Sequence, residues 1–276
     1  MIRNTDKRHA GNVPAAADGT AAGAFGSCRE EDLLLMRCSP ETAPDGEIVY
    51  KYDGNTPPKE ITLGALEYIV RHLENTGYKF YRSKLEISKK INDFEFYIHI
   101  YGSDRNGKGY RARITIDCGI LNRKFDEWYF GHNLGYIAAD GYREWELYGK
   151  ENYVNSVKDI IQKLDNYFIP LTNRFTDDID SLVLDVVENG FYPDNEQMGY
   201  RINMDFLKRY GNRELLEKSI QKYYDSYISK HYEVHEQFKK ILFELKSGQK
   251  IDPYVLRDSR YVIETIVENN LNIKLK

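Results

Sequence analysis

Residues 102–109 have the spacing of a phosphate-binding loop. The segment Gly-Ser-Asp-Arg-Asn-Gly-Lys-Gly places a glycine, four further residues, a second glycine and Lys108 in the order that holds nucleotide phosphates in many enzymes. Such a loop also needs Ser or Thr after the lysine as a ligand for Mg²⁺, and a helix whose free N–H groups receive the phosphates. Here Gly109 follows Lys108, and alternating apolar and polar residues come next. The segment is therefore predicted to be the turn of a β-hairpin.

The two strands of this hairpin are predicted to have one apolar face and one polar, aromatic face, because successive side chains of a strand point to opposite sides. The residues expected to face the core are Phe94, Phe96, Ile98, Ile100, Ala112, Ile114 and Ile116. The residues expected on the opposite face are Glu95, Tyr97, His99, Tyr101, Arg111, Arg113, Thr115 and Asp117.

Five residues of the polar face form the predicted binding site. They are Tyr97, His99, Tyr101, Arg111 and Arg113. Aromatic residues and arginine are the types enriched at binding hot spots, so the expected partner is another protein. Two structural alternatives stay open: helices of the second half cover this face, or it is a solvated surface with aromatic cross-strand pairs.

Single-stranded RNA is an alternative ligand for the same face, since aromatic side chains on a sheet can stack on bases. The net charge of −4 disfavours nucleic acid, because no overall basic field attracts phosphates. The glycine and phenylalanine pattern of RNA-binding sheets is also missing.

His231 and His235 are weak candidates for metal ligands, because four residues separate them on a predicted helix. The zinc-protease pattern has glutamate directly after the first histidine, and Tyr232 stands there instead. A metal-dependent hydrolase or nuclease is therefore only an alternative function. Asp177, Asp178, Asp180 and Asp185 could bind a divalent cation, but the first two suit the beginning of a helix. We predict no metal site, no cofactor and no identifiable catalytic residue.

Cysteine content and hydropathy favour a cytoplasmic protein that does not contact a membrane. The three cysteines lack the paired spacing of a disulfide scaffold or a zinc site, and Cys118 is predicted to be a buried thiol. No apolar run approaches the roughly 20 residues that cross a bilayer, and no secretory signal follows the N-terminal charges.

The pattern of elements predicts an α+β fold: an N-terminal helix, an antiparallel β-meander and a helical C-terminal half. The first helix is expected between Pro57 and Gly77, and strands at 78–83, 85–90, 94–101, 110–120, 125–130 and 143–148. Further helices are expected from Asn152 to Pro170, from Thr176 to Gly190, at 203–210, 213–229 and 231–246, and from about Asp252 to Asn269.

Composition divides the chain near residue 47. Residues 1–46 contain 8 of the 12 alanines and none of the 23 tyrosines, and they show no hydrophobic periodicity. We expect this segment to be a disordered leader or a non-native extension. Residues 47–150 are predicted to hold the first helix and the sheet, and residues 151–276 the helical part, with the option that both form one domain.

The segment after the first predicted helix resembles a family of bacterial domains of unknown function. The matching residues form a Gly-aromatic-Lys-x-aromatic-x-Arg stretch, followed by an antiparallel meander and helices. In this chain they are Gly77, Tyr78, Lys79, Tyr81 and Arg82. Some domains of this kind resemble immunity or defence-associated proteins. The resemblance thus implies a non-enzymatic bacterial protein of immunity or accessory type, which binds a protein partner.

Overall fold

The sheet follows the chain order. A computed structural model describes residues 47–190, 200, 202–250 and 257–276, and within them six strands form one antiparallel sheet. The strands are β1 (Lys79–Tyr81), β2 (Glu86–Ile91), β3 (Phe94–Gly102), β4 (Arg113–Asn122), β5 (Glu127–Asn133) and β6 (Trp145–Glu146). Strands β1 to β5 pair consecutively as a meander, and β6 pairs with the beginning of β4. The prediction for residues 1–46 lies outside the described residues.

Helices precede and follow the meander. They are α1 (Pro58–Leu73), α2 (Leu134–Ile137), α3 (Lys150–Lys163), α4 (Ile169–Asp177), α5 (Ile179–Asn189), α6 (Met204–Tyr210), α7 (Arg213–Ser226), α8 (Tyr232–Lys246) and α9 (Arg257–Glu268). This composition confirms the predicted α+β class. Glu47–Lys276 forms one compact unit.

Helix α1 begins at Pro58, one residue after the predicted first helical residue Pro57, and the predicted stop signal Gly77 follows it. Pro57 and Pro58 fix the first backbone dihedrals, and Gly77 ends the following 3₁₀ turn with a φ of 84°, which favours glycine. Between them, apolar residues at helical spacing are buried: Ile61, Ala65, Leu66, Ile69 and Leu73.

The prediction that Pro170 closes a helix was wrong, because α3 ends earlier, at Lys163, and Pro170 lies near the beginning of the next helix. The segment Leu164–Phe168 forms a π-helical turn, in which the Ile169 N–H donates to the Leu164 carbonyl. Proline cannot donate a backbone hydrogen bond, so it is tolerated in the first turn of a new helix. The π turn ends α3, and Pro170 lies in the first turn of α4.

Two other helix boundaries differ from the prediction. Asp178 rather than Thr176 caps α5, because its side chain accepts a hydrogen bond from the Ser181 N–H at 3.3 Å. Asn152 lies inside α3, where its amide donates to the Tyr148 carbonyl at 3.0 Å. Gly190 ends α5 as predicted, with a φ of 77°. The expected beginning of the last helix lies outside the described residues.

The hydrophobic core lies between the sheet and the helices. Phe175 of α4 contacts Phe94 and Phe96 of β3, with ring centroids 5.4 and 6.5 Å apart. Phe206 of α6 contacts Tyr129 of β5 at 5.5 Å. These residues confirm the predicted apolar face of β3. In the described part of the chain, none of the helices is long and apolar enough to span a membrane.

The hairpin prediction for residues 102–109 is confirmed, since β3 and β4 pair antiparallel around this segment. Strand β4 begins only at Arg113, so the prediction that Arg111 lies in the strand was wrong. Arg111 exchanges both backbone hydrogen bonds with Gly107 at 3.1 Å, which closes a small turn before the strand begins.

Candidate functional site

The face of the sheet opposite the helices carries the predicted aromatic residues. We call it the open face. It comprises Glu86, Ser88, Lys90, Glu95, Tyr97, His99, Tyr101, Arg113, Thr115, Asp117, Gly119, Leu121, Trp128, Gly131 and Asn133, with Tyr142 at its edge. Tyr101, Trp128 and Tyr142 are 49%, 54% and 62% exposed, so the described helices leave this face uncovered.

The aromatic side chains of the open face support one another. The Tyr97 ring meets Trp128 edge-on, with centroids 4.7 Å apart and planes at 85°. It also lies 5.0 Å from the His99 ring, which lies 6.0 Å from Tyr101. Burial raises the pKa of the Tyr97 hydroxyl. Mutual contact therefore holds these rings in place before any partner binds.

A chain of hydrogen bonds links Glu86, His99 and Tyr101. Glu86 and His99 are register partners on β2 and β3, and the His99 Nε2–H donates to Glu86 Oε2 at 2.6 Å. Because the carboxylate can only accept, a neutral His99 presents Nδ1 as an acceptor, and the Tyr101 hydroxyl donates to it at 3.1 Å. This is the order of groups that activates a hydroxyl in acid–base catalysis.

Asp117 continues this row on β4, where it is the register partner of His99 and of Asn133. Burial raises the pKa of Asp117, although the Asn133 amide and the nearby His132 and His99 oppose the rise. The carboxylate is therefore partly removed from water without a full ion pair, which costs free energy.

The guanidinium of Arg113 is already paired. Its Nε donates to Glu146 Oε2 at 2.9 Å, and its Nη1 lies 3.5 Å from Glu144 Oε2. The Glu146 hydrogen bond is also the main reason why the pKa of Arg113 is raised. With Glu86, Glu95 and Asp117 on the same face, carboxylates outnumber the cations Arg113 and Lys90 there, which favours a basic ligand over a phosphate.

The structure places the five predicted site residues in three different situations. Tyr97, His99 and Tyr101 are together on β3, Arg113 is engaged with carboxylates, and Arg111 lies outside β4.

Sequence reasoning missed Trp128 and Glu86 as part of this site. Trp128, Tyr129 and Phe130 are three successive aromatic residues, so they do not show the alternation of core-facing and outward-facing residue types that identifies the faces of a strand. They mark the β-bulge opposite Ile120 and Leu121 that leaves Trp128 on the open face.

The two histidines considered as metal ligands have other contacts. The Tyr224 hydroxyl lies 2.7 Å from His235 Nε2, and the His231 ring lies 5.1 Å from the Tyr227 ring. Among the described residues, no group of three metal-ligating side chains comes together. In the acidic segment, Asp178 is a helix cap and Asp185 pairs with Arg174 at 2.7 Å.

Cys118 is buried in the core face of β4, as predicted. Burial raises the pKa of its thiol, so it remains protonated and unreactive at neutral pH.

No protein-family model matches the chain, and no significant match was found among curated proteins or solved structures. The resemblance to bacterial domains of immunity type accordingly stays a prediction.

Proposed function

We propose that this chain is a protein-binding module whose open face binds a basic surface of a partner protein. The observation that carries the proposal is the row of aromatic rings in mutual contact, Tyr101, His99, Tyr97 and Trp128, beside the Asp117 carboxylate, whose hydrogen bond comes from the neutral amide of Asn133. Exposed aromatic residues that are held in place lose little entropy on binding, and they dominate the affinity of many interfaces. An immunity or accessory role in a bacterium is the form of partner binding that we propose.

The distribution of charge favours a basic protein over nucleic acid as the partner. A phosphate backbone would need free cations, whereas Arg113 is paired with two glutamates and the chain carries a net charge of −4. A partner with lysine or arginine side chains would be attracted instead, and its association rate would fall as salt is added.

The test compares variants of the full-length protein in affinity purification from nuclease-treated bacterial lysate. The open-face variants are Trp128→Ala and Tyr101→Ala. The matched control is Tyr232→Ala, since Tyr232 is 78% exposed on α8. We expect the wild type and the control to recover the same basic protein, and we expect each open-face variant to bind that purified protein at least about tenfold more weakly by calorimetry.

Three outcomes would overturn the proposal. They are recovery of the partner by the open-face variants, loss of the partner on nuclease treatment, and a shift from dimer to monomer in Trp128→Ala during light scattering. The last result would show that this face binds a second copy of the chain.

A second candidate function, general acid–base chemistry, is favoured by the hydrogen-bonded chain from Glu86 through His99 to Tyr101. Burial and the charges of Asp117 and Glu86 raise the pKa of Tyr101, so its hydroxyl would react only while His99 removes the proton.

An aryl sulfonyl fluoride tests this reactivity. The Tyr101 oxygen would form the S–O bond, fluoride would leave and His99 would take the proton. We expect Tyr101 to be labelled faster than the more exposed Tyr142, and we expect His99→Gln to abolish the difference in peptide mass spectrometry. Equal labelling of the two tyrosines in the wild type would leave this second function without support.

A further inference from the structure

Two glycines that face each other leave a recess in the open face. Gly119 of β4 and Gly131 of β5 are register partners, so neither strand contributes a side chain at this point. Over Gly119 the space is filled by the ring of Tyr97. Gly131 is exposed, and the nearest atom that a Cβ there would meet is the Tyr97 hydroxyl oxygen at 3.6 Å. The backbone of Gly131 is therefore the floor of a small notch.

Aromatic rings form one side of this notch. Trp128 precedes Gly131 on β5, and the β-bulge of β5 opposite Ile120 and Leu121 turns it to the open face. Tyr97 reaches across from β3 and meets Trp128 at 4.7 Å. Ring faces and hydroxyl oxygens carry partial negative charge, which attracts cations.

A carboxylate forms the opposite side. Asp117 and Asn133 are the register pair two residues away from the glycine pair, and same-face neighbours at that spacing lie roughly 7 Å apart. The Asn133 amide donates to Asp117 and to the Arg143 carbonyl, and its oxygen accepts from Gly135 and Arg143. Asp117 is thus held in place beside the notch.

We propose that the notch defined by Gly131, Trp128, Tyr97 and Asp117 binds the cationic end of an arginine or lysine side chain from the partner protein. A planar guanidinium fits this setting because it can stack on a ring while it donates to a carboxylate. The inference rests on the proposed function, since it names the group by which the partner is anchored.

Nuclear magnetic resonance provides a test that needs no partner. The chain has two tryptophans, Trp128 on the open face and Trp145 in the core, so two indole N–H signals are expected. A Trp128→Phe variant assigns them. The probe is N-acetyl-arginine methylamide, and the neutral control is the citrulline analogue. We expect the Trp128 signal alone to shift saturably with the arginine probe at millimolar concentration, and to be unaffected by citrulline.

Two variants locate the binding. Asp117→Asn should weaken binding of the arginine probe about fivefold or more, as expected for a lost charged hydrogen bond. Gly131→Leu should block the notch, whereas Gly131→Ala should still bind, because its Cβ makes only ordinary contact. Glu236→Gln is the control carboxylate, since Glu236 lies on α8, outside the open face, where it pairs with Lys239 at 2.6 Å.

The proposal of a cation-binding notch would be overturned if the Trp128 signal shifted equally with the arginine and citrulline probes, or if Asp117→Asn bound the arginine probe with unchanged affinity. If binding of the partner still falls in Trp128→Ala, the proposed function stands without the notch. If the arginine probe binds as expected while the open-face variants retain the partner, the notch is real and the proposed function fails. A shift with free lysine amide equal to that with arginine amide would assign the notch to cations generally and still support it.

Discussion

The Tyr97 ring occupies the space that a side chain at residue 119 would need. Tyr97 and Gly119 are register partners on β3 and β4, and a Cβ on residue 119 would lie closer to the tyrosine ring than atoms can approach. The aromatic row of the open face therefore depends on a residue without a side chain in the neighbouring strand.

Gly119→Ala is expected to destabilise the protein by about 1–3 kcal/mol, because the added methyl group must displace the Tyr97 ring. Urea unfolding measures this loss. The double variant Tyr97→Ala/Gly119→Ala has room for the methyl group, so its stability should equal that of Tyr97→Ala alone. Simple addition of the two losses would show that the ring and the glycine do not interact.

Asp117→Asn is expected to raise the stability at neutral pH. Burial raises the pKa of Asp117 above its unfolded value of 3.8, so the folded protein holds the proton over a range where the unfolded chain has released it. Stability therefore falls as pH rises through this range, and the cost is complete above the folded pKa. Since the group keeps part of its hydration, we expect a gain in Tm of only about 1–2 °C at pH 7.

The gain from Asp117→Asn should vanish below about pH 3.8, where the aspartate is protonated in both states. Asp185→Asn is the control with the opposite sign: burial raises the pKa of Asp185, but hydrogen bonds from Arg174 and Asn189 outweigh it and lower the pKa. That variant should lose stability at neutral pH. Thermal melts from pH 3 to pH 8 compare the two, and a loss of stability in both variants would contradict the assignment for Asp117.

Asp159→Ala is expected to cost about 1–3 kcal/mol, because it leaves the buried indole N–H of Trp145 without its acceptor. In the native protein this N–H donates to Asp159 Oδ2 at 2.7 Å. Asp140→Ala is a matched control, since Asp140 also pairs with Lys163 and Arg143 but does not bond to the indole. The control should lose less than about 1 kcal/mol in urea unfolding. Equal losses would assign the effect to the ion pairs instead.

Removal of residues 271–276 is expected to destabilise the helices against which they lie. Leu271 is buried, and the backbone N–H groups of Asn272 and Lys274 donate to Glu217 and Gln221 of α7. Leu271→Ala alone should cost about 2–5 kcal/mol. Leu275→Ala, at a residue that is 40% exposed, should change stability by less than about 0.5 kcal/mol.

Hydrogen exchange of α7 provides the second measurement for this terminal segment. Compared with the full-length protein, the truncated protein should show faster exchange in α7 and unchanged exchange in β3. The reason is that the terminal segment donates these hydrogen bonds to α7 and not to β3. Unchanged exchange in α7 would show that the segment does not contribute to the stability of that helix.

The alternation of residues along β3 was sufficient to predict which side chains face the core and which form the open face. Phe94, Phe96, Ile98 and Ile100 are buried, while Tyr97, His99 and Tyr101 lie on the other side. Such a prediction needs only the period of one strand. The helix end at Gly190 could also be predicted from the sequence, because a helix end that requires a positive φ favours glycine.

Which residues of different strands meet in the site depends on the register between the strands, and the alternation of residues along one strand does not determine that register. The pair of Glu86 and His99 follows from the register of β2 against β3, and the pair of Tyr97 and Trp128 follows from a bulge. Arg111 was misplaced because its residue type fits the alternation, whereas the hydrogen bonds to Gly107 end the pattern before β4. Pro170 was misjudged because a π turn in the preceding segment accommodates it.

The π turn at Leu164–Phe168 also sets the rotational phase between α3 and α4. Each residue in an α-helix turns the chain by about 100°, so deletion of one residue from this turn would rotate everything after it by that angle. Phe175 would then leave Phe94 and Phe96, which lie directly behind the open face in β3. A single-residue deletion far from Tyr97 and Trp128 would therefore remove the support under the aromatic row, although every residue of the open face would still be present.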